Sequence, residues 1–176
     1  MANKKVFNGL VANWKDIEDG SNASYPGSRE THGLTANFAK HFKLSRLGVS
    51  QDRLRPGERS SWPHAEADEE EFVLVLEGTP DLWVDGHIKR LAPGDCVGFA
   101  SGTGLAHTFI NNTNADVRMI VVGEASRYRS RIHYPMHPKR NAEIGSRHWS
   151  DVPKRKLGPH DGKPDKPRYL RKSKTP

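Results

Sequence analysis

From Phe42 to Gly123 the chain is a succession of short strand-like runs, each stopped within a few residues by a turn former. Leu47-Gly48-Val49-Ser50-Gln51 alternates and is broken by Arg55-Pro56-Gly57-Glu58. Phe72-Val73-Leu74-Val75-Leu76 is continuously apolar and stops at Glu77-Gly78. Leu82-Trp83-Val84 and His87-Ile88-Lys89-Arg90-Leu91 flank Asp85-Gly86. A two-residue Asp-Gly between strands is the strongest short hairpin signal, because a type I′ turn needs positive φ at both positions. Pro93-Gly94-Asp95 precedes Cys96-Val97-Gly98-Phe99. The loop Ser101–Gly104 leads into His107-Thr108-Phe109-Ile110, and Asn111–Asn114 separates that run from Val117–Val122. Many short strands with regular turns and no long helical pattern predict an all-β sandwich or barrel.

The flanks read differently. Residues 1–41 form an N-terminal arm, mostly loop, with turn formers dense between Asp19 and Ser28. Residues 42–123 are the β-barrel. Residues 124–176 are a basic, proline-rich extension in which little regular structure is expected after Lys154. A chain of 176 residues can bury such a core without staples. Its single cysteine, Cys96, excludes an internal disulfide and any zinc site built from several cysteines, and fits a cytoplasmic setting. Mean hydropathy is −0.78. No apolar run approaches the length of a membrane-crossing helix, and the N-terminus lacks the pattern of a secretory signal.

Charge is segregated. Residues 126–176 hold 15 Lys and Arg against 4 Asp and Glu, while residues 1–125 hold 13 against 17, within a total of +7. A basic arm can serve nucleic acid. Here prolines break it repeatedly and its aromatics are far apart, unlike the closely set stacking platforms of a single-strand binder. A tail lying on its own acidic body is expected instead, with nucleic acid not a partner.

Chemistry is concentrated between Trp62 and Phe72. His64 and Glu66 are two apart, so on a strand they project to one face. Glu71 opens the next apolar strand on the face of Val73 and Val75, where a charge is costly unless paired or metal-bound. His107 shares a face with Phe109 on a later strand. Asp68, Glu69 and Glu70 read as a solvated link, Cys96 as a small buried residue, Trp83 and Phe109 as barrel filling, Asn111 as a turn cap, and Arg53 and Arg59 as surface groups.

These residues resemble the cupin superfamily. Its first motif runs glycine, His-x-His, three or four residues, Glu, six residues, Gly; here stand Gly57, His64-x-Glu66, four residues, Glu71, six residues, Gly78. Its second runs glycine, five residues, Pro-x-Gly, two residues, His, three residues, Asn; here stand Gly94, five residues, Ala100-Ser101-Gly102, four residues, His107, three residues and Asn111. Glu66 replaces the second histidine, Ala100 replaces the proline, and the loop to His107 is longer. The resemblance implies a jelly-roll barrel and one divalent metal held by His64, Glu66, Glu71 and His107. Zinc, manganese and iron(II) all suit imidazole and carboxylate ligands. It further implies a small polar metabolite, such as a sugar or carboxylate, bound and transformed by an isomerase, lyase or dioxygenase, and a homodimer. The alternatives are a non-catalytic module that binds or senses a small ligand, and an iron-dependent dioxygenase.

Overall fold

The computed structural model describes residues 7–19, 24–125 and 130–165. Ten strands carry the fold: β1 (Leu34–Asn37), β2 (Leu47–Leu54), β3 (Ala65–Glu66), β4 (Glu71–Glu77), β5 (Asp81–Val84), β6 (His87–Arg90), β7 (Cys96–Phe99), β8 (His107–Ile110), β9 (Val117–Glu124) and β10 (Ile132–His133). Among the described residues, three short helices accompany them: α1 (Trp14–Ile17), α2 (Phe38–His41) and α3 (Pro138–Glu143). A large antiparallel sheet has the order β1-β2-β9-β4-β7. Opposite it lies β6-β5-β8. Residues 57–64 run beside β8 through bridges at Arg59–Ile110 and His64–His107, and β3–β10 continues that edge.

Period-2 alternation decides what each sheet buries. Leu54, Val73, Val75, Leu82, Phe99, Phe109, Val117 and Met119 meet in one buried cluster between the sheets. Each such side chain contributes about 1.5–3 kcal/mol when removed from water. The opposite parity of the small sheet gives a second cluster of Ala65, Trp83, Ala106, Ile110 and Trp149. Trp83 is therefore buried on the outer face, beneath the C-terminal extension, whereas Phe109 does fill the barrel as expected. The turn between β5 and β6 has φ 46° at Asp85 and 84° at Gly86, the signs a type I′ turn requires.

The described part of the extension, residues 130–165, is a strap. β10 pairs with β3, and Trp149 N–H donates to Ile132 O at 2.9 Å. Farther along, Gly158 N–H donates to Asp85 O at 2.7 Å and His160 N–H to Gly86 O at 3.1 Å. Trp83 Nε1–H donates to His160 O at 2.9 Å. From Lys154 to Asp165 there is no helix or strand, yet the backbone is tied to the body. Its charges are tied as well: Arg155 pairs with Asp85, and Arg131 with Asp68 at 3.1 Å. The last tail residues, 166–176, lie outside the described residues.

Two expectations are corrected. Cys96 is exposed, because its side of the edge strand β7 carries no cover. Arg59 is 1% exposed, since its guanidinium forks onto Glu30 at 2.6 and 2.7 Å and donates to Gly162 O beneath the strap. A part of the N-terminal arm also joins the body: β1 pairs with β2 along four residues.

Candidate metal centre

The four candidate ligands come from both sheets. Glu71 begins β4 in the large sheet, opposite Phe99 and Gly123. His107 begins β8 in the small one, and His64 bridges it, with N–H···O distances of 3.2 and 2.9 Å between their backbones. Glu66 follows on β3. The alternation that buries Val73 and Phe109 thus carries Glu71 and His107 inward at the same end of the barrel. They meet there: His107 Nε2 lies 3.2 Å from Glu71 Oε1, and His64 Nε2 lies 3.8 Å from Glu66 Oε1. The two imidazole centroids are 5.1 Å apart. Phe99 stacks on His107 at 3.6 Å and fixes its ring plane.

The outer ring nitrogens set the tautomers. His64 Nδ1–H donates to Trp62 O at 2.8 Å, and His107 Nδ1–H donates to Leu105 O at 3.4 Å. A carbonyl can only accept, so both Nδ1 atoms carry the proton and both Nε2 atoms present lone pairs in the neutral rings. An outer ring N–H held by a carbonyl is the usual arrangement for histidines that bind metal. It leaves a nitrogen lone pair facing a carboxylate oxygen within each pair, an arrangement that a proton or a metal ion between them would stabilise. The 3.2 and 3.8 Å separations compare with roughly 3–3.5 Å expected between ligands that share one ion at about 2.1 Å. In donor chemistry the residues fit a divalent metal. The four stand as two His–Glu pairs side by side, and among the described residues no three His, Cys, Asp or Glu side chains are already gathered on one point.

Electrostatics separates the group. Burial, with the charge of His107 next, pushes His64 down to about 4. Burial first, then Glu69 and Glu71, pushes Glu66 up to about 8. Burial works against the Glu71 carboxylate too, but the hydrogen bond and charge of His107 outweigh it and hold Glu71 below its ordinary range. Glu66 and Glu71 line an open cavity of about 480 Å³ whose other walls include Asn37, Lys40, Lys43 and Ser50.

One inward carboxylate was not singled out from sequence. Asp52 lies on β2, paired with Met119 and Thr35. Ser50 Oγ–H donates to it at 3.1 Å. Burial first, with Glu71 adding, pushes Asp52 up to about 6 against the hydrogen bonds of Ser50 and Thr35. The available signal was parity: Ser50, Asp52 and Leu54 alternate, and Leu54 is apolar.

A sequence profile described as the cupin domain matches residues 52–123. A sugar phosphate isomerase from a cupin superfamily, from Silicibacter pomeroyi, is 32% identical; the match covers 70% of this chain and 80% of that one, with a TM-score of 0.64. The chain belongs to the cupin superfamily. Two further solved structures share the fold. A proposed sugar phosphate isomerase from Acidithiobacillus ferrooxidans is 24% identical over 73% of this cupin and 82% of its own chain, with a TM-score of 0.60. The polyketide cyclase RemF from Streptomyces resistomycificus is 18% identical over 78% and 94%, with a TM-score of 0.58. No curated protein sequence matches this cupin. Within it, the His-x-Glu variant of the first motif puts a carboxylate where the family pattern has an imidazole, and His64 keeps a carboxylate neighbour of its own.

Proposed function

We propose that this cupin is a metal-dependent isomerase of a small hydroxylated metabolite of the sugar phosphate class, with one divalent ion held by His64, Glu66, Glu71 and His107. The observation that carries the reading is the pairing of an Nε2 lone pair with a carboxylate in each half of the site, both rings being oriented by backbone carbonyls. The reaction class is supported by the similarity to the Silicibacter pomeroyi protein. Zinc, manganese and iron(II) are the candidate ions. A bound ion would supply Lewis-acid polarisation of a substrate carbonyl. Two carboxylates neutralise its charge formally, so binding is favoured over acidity. The protein's own groups do the rest: Trp62 and Leu105 carbonyls hold the tautomers, Phe99 holds one ring, and the cavity beside Glu66 and Glu71 admits a metabolite.

The test uses the full chain loaded with zinc, manganese or iron(II) in turn and a panel of aldose and ketose phosphates, followed by proton NMR. Conversion of at least one pair, abolished by chelation and restored by metal, supports the reading. Metal uptake with no conversion of any member makes the protein a non-catalytic binding module instead.

The proposed assembly is a homodimer in a cytoplasmic setting, without nucleic acid. What supports the dimer is the outer face of the large sheet. Val49, Val122 and Phe72 stand in one register row and Ile120 and Leu74 in the next. Phe72 and Leu76 remain 43% and 39% exposed. No described helix is long and apolar enough to cross a membrane.

A further inference from the structure

We infer that Ser50, on the wall of the cavity that Glu66 and Glu71 also line, and Asp52 behind it form a proton relay, with the Ser50 hydroxyl meeting the substrate and Asp52 acting through it. The inference rests on the isomerase reading above and deepens it. Neither residue belongs to the two motifs that carry the candidate ligands.

The geometry comes from β2. Residues 50, 52 and 54 share one face, and Leu54 of that face lies in the interior cluster with Val117 and Met119. Asp52 therefore sits one pleat deeper in the barrel than Ser50. Ser50 lines the cavity that Glu66 and Glu71 also line. Its Oγ–H points away from that cavity, onto Asp52 at 3.1 Å, so its lone pairs are left for a proton arriving from the cavity side. Thr35 on β1 supplies a further hydrogen bond to the same carboxylate and braces it. The groups packed around Asp52 on β9 are Met119 and Val121, which bring no charge; β4 brings Glu71, and the cavity rim brings Lys40 and Lys43. A partly buried carboxylate on an inward strand position, with no arginine or lysine paired to it among the described residues, costs stability, and a proton-transfer role explains its placement. Its upward shift to about 6, caused first by burial, puts it within the range where it both accepts and returns a proton near neutrality.

The step balances. Isomerisation of an aldose to a ketose moves one hydrogen, with its bonding electron pair, directly from one carbon to its neighbour and one proton between their oxygens, with no external oxidant or reductant. The relay handles the oxygen-bound proton. The substrate hydroxyl gives its proton to Ser50 Oγ while Ser50 gives its own to Asp52. The transfer then reverses toward the former carbonyl oxygen, and both residues end as they began.

The experiment uses the metal-loaded full chain and whichever sugar phosphate the wild type converts. Asp52→Asn keeps the size of the side chain and is expected to lower kcat about 10²-fold with KM changed less than about threefold. The acidic limb of the wild-type profile near pH 6 should vanish with it. Ser50→Ala should lose a similar factor, while Ser50→Thr, which keeps a hydroxyl, should recover most of it. The serine pair keeps the test decisive if Asp52→Asn folds poorly. Wild-type kcat in Asp52→Asn, or equal losses in Ser50→Ala and Ser50→Thr, would overturn the relay while His64→Ala/His107→Ala inactivity leaves the isomerase reading standing. A wild type that binds metal but converts no sugar phosphate removes the isomerase reading and the relay with it.

Discussion

Glu66 is the residue through which pH acts on the metal-free protein. Its carboxyl is pushed up to about 8 in the fold, from an ordinary 4.5, so between these values the folded chain holds a proton that the unfolded chain has released. Stability therefore falls as pH rises through that interval. His64 and His137, both held near 4 in the fold, oppose this, since the unfolded chain still binds their protons around the ordinary value of 6.5, and Asp52, near 6, adds a little to the fall just above pH 6.5. Above about pH 7.5 Glu66 acts alone among them. Raising the pH of metal-free protein from 6.5 to 8 should cost about 1 kcal/mol net, read as a lower midpoint in chemical denaturation. Glu66→Gln should remove the fall. Metal affinity should move the opposite way, rising over the same range, because a bound ion needs the carboxylate ionised. His64, Glu66, Glu71 and His107 were legible as a group because motif spacing and strand parity both point to them. Asp52 was not, because a lone aspartate among polar neighbours on an alternating strand looks like a solvated position until the pairing partners are known.

At the scale of elements, the hairpin β5–β6 carries more than its own turn. Gly86 has φ 84°, and a Cβ placed there would lie 2.4 Å from Gly158 N and 2.5 Å from Gly158 O. Both are backbone atoms of the strap and cannot rotate away. Gly86→Ala should thus strain the turn and lift the strap together, at about 2 kcal/mol or more. The expected readout is a thermal midpoint several degrees lower and faster proteolysis after Lys154. Val73, Val75, Phe109, Val117 and Met119 announce their strands by alternation, and Asp85-Gly86 announces its turn. The strap announces nothing, since loop-to-loop backbone bonds such as His160 to Gly86 have no period. Arg59 was misread for the same reason: its partners Glu30 and Gly162 come from distant, irregular segments.

For the whole molecule, the uneven charge is answered within the chain. Arg131, Arg140 and Arg155 of the extension each pair with a carboxylate. Binding to generic duplex DNA at near-physiological salt is accordingly expected to be undetectable; tight binding lost on truncation near Arg147 would assign the extension to nucleic acid. The proposed homodimer would place the row of Val49, Val122 and Phe72 against a second copy. Phe72→Asp with Leu76→Lys should convert a dimer to a monomer in sedimentation without loss of bound metal, and a wild-type monomer at micromolar concentration contradicts it. The central claim is the metal itself, and elemental analysis of protein purified without added metal tests it most directly. The wild type should carry about one divalent ion per chain, and His64→Ala/His107→Ala should carry none while keeping its β-rich circular dichroism. Full retention of metal by that double variant, or a wild type that takes up no ion from excess zinc, manganese or iron(II), would contradict the account.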